Sequence, residues 1–138
     1  MTSTTTFTPA EAVERTGVSL DTLRYYERIG LLALARDAAG HRVFTDGDLD
    51  WIGLLRCLRE TGMPIAQMQR YASPSGTQTA RDDEVTIARH RLEILRAHGR
   101  RVASDIDRLL LQQQRLADKL AWYGGVVERA GRGVEDAI

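Results

Sequence analysis

The sequence predicts a mainly α-helical protein in which a winged helix-turn-helix domain is followed by one long helix. Two short helical segments begin at Thr8 and Ser19, and the turn of a few residues between them contains Gly17. A β-hairpin pattern follows directly, and after Thr79 an apolar seam repeats in steps of three and four residues. The tight helix pair is typical of a helix-turn-helix, and the seam is typical of a coiled coil.

The first helix has a strong start signal. Thr8 can cap it, Pro9 fits the first helical position, and Glu11 completes a capping box. Gly17 supplies the left-handed residue at which the helix ends. On spacing alone, an unspecialised helical hairpin remains the alternative.

The second helix is predicted over Ser19–Arg28 and ends at Gly30. One face holds Leu20, Leu23 and Glu27. The opposite face offers cations, a hydroxyl and a phenol, which suit the phosphates and base edges of DNA. We therefore interpret the segment as a recognition helix. Its expected DNA contacts are Thr22, Arg24, Tyr25 and Arg28.

A two-stranded wing is predicted behind this helix. Residues 31–36 form the first strand, residues 37–40 a turn with Gly40 at a position of positive φ, and residues 41–44 the second strand. A solvated hairpin is the alternative, but the position directly behind the recognition helix favours contact with the DNA backbone. The expected contacts are Arg36, His41 and Arg42.

Two further helices complete the domain, which is predicted over residues 1–74. Thr45 caps a third helix that reaches about Thr61, and Pro64 opens a fourth. At 100° per residue the third helix has a broad buried arc, with Cys57 just outside it. The arc consists of Trp51, Ile52, Leu54, Leu55 and Leu58.

A linker at 75–82 precedes the longest periodic stretch, a helix predicted over 83–123. Its seam is too long for a small domain to bury, so a second copy is the expected partner in a two-stranded coiled coil. The glycines at 124 and 125 end the helix and leave a short flexible tail at 124–138. The expected dimer contacts are Leu92, Leu95, Val102, Ile106, Leu109, Leu116 and Leu120.

Composition limits the function classes. Formal net charge is +0, and residues 1–74 carry eight Arg against nine Asp and Glu, so DNA affinity has to come from a local patch. The lone Cys57 excludes an intramolecular disulfide, and no apolar run or signal sequence is present, so a soluble cytoplasmic protein is expected. Cys57 has no obvious histidine partner, so we expect no enzyme, no catalytic residue and no cofactor.

The motifs resemble a known family of bacterial transcription regulators, the MerR family. Thr22–Arg28 followed by Gly30-Leu31-Leu32 is similar to its recognition helix, residues 40–44 to its wing, and residues 62–65 to the junction of its third and fourth helices. The resemblance covers about residues 7–123. One departure is His41, where the family usually has tyrosine; histidine still donates to a phosphate.

The resemblance implies a mechanism. Members form homodimers through an antiparallel coiled coil and bind double-stranded promoter DNA whose two recognition elements are spaced too far apart. The effector-bound dimer bends and untwists the spacer so that RNA polymerase engages both elements, which is readout by deformation. Two-fold symmetry implies half-sites about 34 Å apart, or a multiple of that.

Branches of this family differ in the effector that they sense. Metal-sensing and redox-sensing branches need cysteines near the end of the coil, and none follows Arg115. His90 and His98 are too isolated for a metal site and are expected to face solvent. Multidrug sensors have a large C-terminal domain that residues 124–138 do not supply.

The third helix resembles that of the AdhR/NmlR-like branch, which responds to aldehydes and other electrophiles. The similar residues are 48–52 and Arg56-Cys57-Leu58-Arg59, and the resemblance implies Cys57 as the effector-sensing residue. Arg56 and Arg59 would favour a reactive thiolate. The alternatives are that Cys57 only packs while a small ligand is the effector, or that the protein is a coiled-coil scaffold without DNA binding.

Overall fold

The computed structural model describes residues 5–72 and 80–136, with side chains of the last helix over 84–134. The chain divides into two compact units, Met1–Leu95 and Arg96–Ile138. The first unit contains a small antiparallel sheet and four short helices, and a fifth helix begins in it. The elements are β1 (Thr6–Phe7), α1 (Pro9–Thr16), α2 (Leu20–Arg28), β2 (Ala35–Arg36), β3 (Arg42–Thr45), α3 (Asp46–Glu60), α4 (Ile65–Ala72) and α5 (Ala80–Asp136).

The helix-turn-helix forms as local signals predict. Thr8 Oγ1 accepts a hydrogen bond from the Glu11 amide at 3.2 Å, and Glu11 Oε1 accepts one from the Thr8 amide at 3.2 Å, so the capping box is confirmed. Gly17 has φ +71° and ends α1, and Ser19 caps α2. These caps satisfy amide groups that helix starts leave without intrahelical partners.

The wing differs from its predicted form in length. Its first strand is only Ala35–Arg36, paired with Val43 and Arg42, and not 31–36. Leu31 and Leu32 are buried in the core of the first unit, so their apolar character reflects this burial and not a β-strand. The sequence did not indicate β1, which pairs Phe7 with Phe44 on the other edge of β3, because two residues are too short to show alternation.

The core of the first unit lies between α1, α3 and the sheet. Ile52, Leu55 and Leu58 of α3 are buried, while Trp51 and Leu54 are half-buried against them, which confirms the predicted arc. Cys57 lies outside it and is exposed. The largest fully buried side chains are Leu23, Leu31, Phe44, Ile52, Leu55, Met63 and Met68.

The predicted end of the long helix is wrong. α5 is a 57-residue helix that continues through both glycines to Asp136, so 124–136 is helical and not a flexible tail. A glycine stops a helix when it adopts positive φ. Among the described glycines only Gly17, Gly30, Gly40 and Gly62 do so, so Gly124 and Gly125 keep helical geometry.

The start of α5 also differs. Ala80 is already helical, so the last three positions of the predicted linker at 75–82 belong to the helix. Positions 75–79 of that linker lie outside the described residues.

The apolar seam lies open along the second unit. Ile106, Leu109, Leu116 and Leu120 are 52–74% exposed, and Val102 is half-buried. The spacing continues past the predicted end, since Val127 follows Tyr123 by four residues and Val134 follows Ala130 by four. Upstream, in the first unit, Leu92 is exposed whereas Leu95 packs partly against the unit's own core.

None of the helices in the described ranges is both long enough and apolar enough to cross a membrane.

Candidate nucleic-acid interface

α2 presents its predicted face to solvent. Arg24, Tyr25 and Arg28 are exposed, and Thr22 is partly exposed. Leu23 is buried as predicted, and Tyr26 is buried beside it, although the sequence did not assign Tyr26 to the core. Its three-residue spacing from Leu23 was the available signal, because such residues share a helical face. Burial also raises the pKa of Tyr26 above its usual value.

The cations on this face are only weakly engaged by the protein. Arg24 Nη1 lies 3.9 Å from Asp21 Oδ1, and both side chains are largely exposed. Exposed pairs of this kind contribute little and exchange readily for another anion. The Arg28 guanidinium lies 5.5 Å from the centre of the Tyr25 ring, a cation–π arrangement that keeps the two side chains together.

The wing tip is organised by Asp37. Its carboxylate accepts hydrogen bonds from the amides of Ala39 at 3.0 Å and His41 at 2.9 Å. These bonds, led by that from His41, hold the pKa of Asp37 below its usual value. The His41 side chain is 77% exposed and its Nδ1 lies 3.5 Å from Asp37 Oδ2. The turn thus displays an imidazole at the tip.

In the strand pair next to the turn of the wing, two predicted DNA contacts have protein partners. Arg42 donates from Nε to Glu27 Oε1 at 3.0 Å, and its Nη2 lies 3.0 Å from the same oxygen. Arg36 donates from Nη1 to the Gly40 carbonyl at 2.9 Å, and its Nη2 lies 4.0 Å from Glu27 Oε1. Glu27, which the sequence placed on the inward face of α2, therefore joins α2 to the wing.

Two long-range hydrogen bonds support the segment that follows α2. Trp51 Nε1 donates to the Leu31 carbonyl at 2.7 Å, and Gln69 Nε2 donates to the Ile29 carbonyl at 3.0 Å. Sequence reasoning missed both, because no local pattern joins residues 20 or 40 positions apart.

The N-terminal part of α5 contacts Trp51 as well. The Trp51 and Tyr71 rings stack with centroids 5.5 Å apart, and the Arg91 guanidinium lies 5.0 Å and 5.2 Å from their centres. Arg91 also donates from Nε to the Tyr71 carbonyl at 3.1 Å, near the C-terminal end of α4. Within the first unit, α5 is therefore anchored to the α3–α4 pair that supports the segment after α2.

The two arginines beside Cys57, Arg56 and Arg59, both donate hydrogen bonds to other groups of the protein. Arg56 donates to Glu60 Oε1 at 2.7 Å and to the Thr16 carbonyl at 2.8 Å. Arg59 donates to the Met63 carbonyl at 3.3 Å. Both neighbouring guanidinium groups thus have acceptors of their own, while Cys57 is exposed.

The histidines of α5 are not both solvent-facing, which corrects that expectation. His98 is buried, and burial lowers its pKa. Its spacing of three residues from Leu95 and four from Val102 places all three on one helical face. His90 Nε2 lies 2.9 Å from the Arg70 carbonyl. Within the described ranges, no three His, Cys, Asp or Glu side chains are grouped as a metal site would need.

Comparison with known proteins points to one family. The profile of the MerR HTH family regulatory proteins matches residues 7–73. An HTH-type transcriptional regulator of Haemophilus influenzae is 38% identical over 119 residues, covering 86% of this chain and 84% of the relative. The HTH-type transcriptional regulator AdhR of Bacillus subtilis is 34% identical over 65 residues, 46% of each chain.

A solved structure extends the similarity to the fold. HiNmlR, a MerR family regulator lacking the sensor domain and bound to promoter DNA, superposes with a TM-score of 0.71 at 37% identity. The match covers 86% of this chain and 90% of HiNmlR. The relatives are regulators of transcription and not enzymes.

Proposed function

Since this chain belongs to the MerR family of helix-turn-helix transcriptional regulators, we propose that it binds double-stranded promoter DNA as a homodimer and distorts the spacer in response to an effector. The distortion aligns two promoter elements so that RNA polymerase engages both. The protein acts in the bacterial cytoplasm, where its promoter lies.

The observation that carries this proposal is the joint presentation of α2 and the wing. Arg24, Tyr25 and Arg28 are exposed on α2, and His41 is exposed on the adjacent wing tip. Side chains from both elements meet phosphates and base edges, with Thr22 at the start of α2. The charge of this face is local, as a chain of net charge +0 requires. HiNmlR, which was solved on promoter DNA, supports the assignment.

Arg36 and Arg42 belong to the same interface and form the strand pair next to the wing tip. Part of each guanidinium is occupied by a protein acceptor, the Gly40 carbonyl for Arg36 and the Glu27 carboxylate for Arg42. Their contribution is therefore smaller than that of the freer Arg24.

The homodimer is supported by the open seam of α5. Apolar side chains from Ile106 to Leu120 are more than half exposed in the single chain. A leucine gains about 1.5–3 kcal/mol when it is fully buried, so an antiparallel second copy that covers the seam is strongly favoured.

A binding assay with a matched variant tests the DNA interface. The wild-type dimer should shift a duplex selected by it from a random pool, and raising salt should weaken the complex. Arg24→Ala should weaken binding on the order of tenfold, with the mass in solution unchanged. No retention of any duplex at low salt would instead favour the coiled-coil scaffold. Dissociation of Arg24→Ala into monomers would show that Arg24 is a dimer contact.

For the effector, we propose that an aldehyde or another electrophile modifies the exposed Cys57. The Cys57 sulfur adds to the carbonyl carbon of an aldehyde, or to the activated double bond of an unsaturated electrophile, and the π bond breaks. The thiol proton passes through water to the oxygen or carbon that receives the electron pair, and the bulkier adduct shifts α3. Cys57→Ser should keep its DNA affinity and lose electrophile-dependent transcription. An undiminished response would support the other candidate, a small ligand that acts while Cys57 only packs.

A further inference from the structure

The acidic residue Glu27 occupies a position where local electrostatics disfavour it. It lies in the last turn of α2, where the helix dipole favours cations, and on the element that would approach DNA phosphates. Both effects penalise a carboxylate. Its contacts within the protein must therefore supply the compensation.

Those contacts reach both strands of the wing. Arg36 of β2 and Arg42 of β3 stand directly opposite each other in the sheet register. Like charges at opposed positions repel. Glu27 Oε1 lies 3.0 Å from Arg42 Nη2 and 4.0 Å from Arg36 Nη2, so one carboxylate neutralises the repulsion and ties β2 and β3 to α2.

This link is better shielded than the other ion pairs of the interface. The Glu27 and Arg42 side chains are 24% and 25% exposed, whereas those of Arg24 and Asp21 are 54% and 97% exposed. Salt screens partly buried pairs less than exposed ones. The Glu27–Arg42 ion pair should therefore persist at salt concentrations that disrupt the exposed ion pairs.

We propose that Glu27 is a positioning residue that sets DNA specificity by fixing the wing against the recognition helix. It does so without touching DNA, and the main role of Arg42 is to be the ion-pair partner that holds β3 to Glu27. The inference rests on the proposed DNA-binding function. Shape readout needs two elements to meet the duplex at one fixed spacing, so a loosened wing loses the preferred site more than other sites.

The test compares Glu27→Gln, Arg42→Gln and the double variant with the wild type. Glu93→Gln on the exposed surface of α5 is the control, because it removes the same charge by the same chemical change. Affinity is measured by fluorescence anisotropy on two duplexes, one selected by the wild type from a random pool and one with the same bases scrambled. Each titration is repeated at several salt concentrations.

Glu27→Gln should weaken binding to the selected duplex on the order of tenfold, because the ion pair with Arg42 becomes a weaker hydrogen bond to a neutral amide oxygen. It should also tighten binding to the scrambled duplex, since a negative charge is gone and Arg42 is released. The double variant has the wild-type net charge. It should lose specificity as Glu27→Gln does, but its affinity for the scrambled duplex should be no tighter than that of the wild type, because the Arg42 charge that Glu27→Gln releases is absent.

Other outcomes overturn the proposal in distinguishable ways. Equal tightening on both duplexes would make Glu27 merely a repulsive charge. If Arg42→Gln lowered the salt dependence by about one phosphate contact while Glu27→Gln left specificity intact, Arg42 would be a direct phosphate ligand. If the wild type bound no duplex, the proposed function would fail first and this inference with it.

Amide hydrogen exchange on the free protein provides a readout without DNA. Glu27→Gln should speed exchange in residues 35–45 by several-fold and leave α1 and α3 unchanged, whereas Glu93→Gln should alter neither. A uniform loss of protection across the first unit would reduce Glu27 to a general stabilising residue and overturn the positioning role. Unchanged exchange in the wing would overturn it as well.

Discussion

The two units of this chain differ in whether their large apolar side chains are buried or exposed. In Met1–Leu95, the large side chains Phe44, Ile52 and Leu55 are completely buried within the unit. In Arg96–Ile138, Leu109, Leu116 and Leu120 remain more than half exposed. A single helix has no inside, so its apolar seam is buried only by another surface. The first unit thus buries its own apolar side chains, whereas the apolar seam of the second would be buried in the proposed homodimer.

The largest expected effect comes from a charge in the open seam. Leu109→Asp removes two leucines from a symmetric dimer and places two unpaired charges there, so dissociation should increase about a thousandfold or more. Sedimentation at several protein concentrations measures it.

Leu111→Asp is the control, because Leu111 is equally exposed but lies two residues further, on the opposite side of α5. If both variants dissociate equally, the partner covers more of α5 than the seam.

An intermediate effect is expected for the buried core. Ile52→Ala leaves a cavity at a side chain of 0% exposure and should lower the free energy of unfolding by about 2–5 kcal/mol. Urea denaturation followed by circular dichroism measures the loss.

The matched change Ile106→Ala lies on the seam. There the free energy of unfolding should fall only through weaker dimerisation, so the measured stability should depend on protein concentration. A concentration-independent loss for Ile106→Ala would mean that the second unit buries this residue by itself.

The smallest expected effect concerns the end of α5. Gly124→Ala should stabilise the helix by up to about 1 kcal/mol, because the residue is helical and an added Cβ meets no atom within 4 Å. Slower amide exchange over residues 120–130 would report it.

Gly40→Ala also has open space, but its φ of +85° makes the same substitution unfavourable in the wing. If residues beyond 124 exchanged at the rate of an unfolded peptide in both wild type and Gly124→Ala, the helix would end earlier.

Prediction from sequence succeeded where the cause was local. The Thr8–Glu11 capping box, the Ser19 cap and the burial of Ile52, Leu55 and Leu58 all follow from spacings of three or four residues. It failed at Gly124 and Gly125, because a glycine permits a helix end without requiring one. It also missed Glu27–Arg42 and Trp51–Leu31, since these contacts join segments that only the fold brings together.

The sequence by itself determined the helix-turn-helix, the wing and the seam, because capping chemistry and apolar periodicity act within a few residues. It also determined which side chains α2 exposes, because helical geometry puts Arg24, Tyr25 and Arg28 on a different face from the buried Leu23. Only the tertiary structure decided which cations are free and which are committed. Arg24 keeps a weak neighbour whereas Arg42 is held by Glu27, because ion pairing depends on distances between strands and helices that no spacing along the chain encodes.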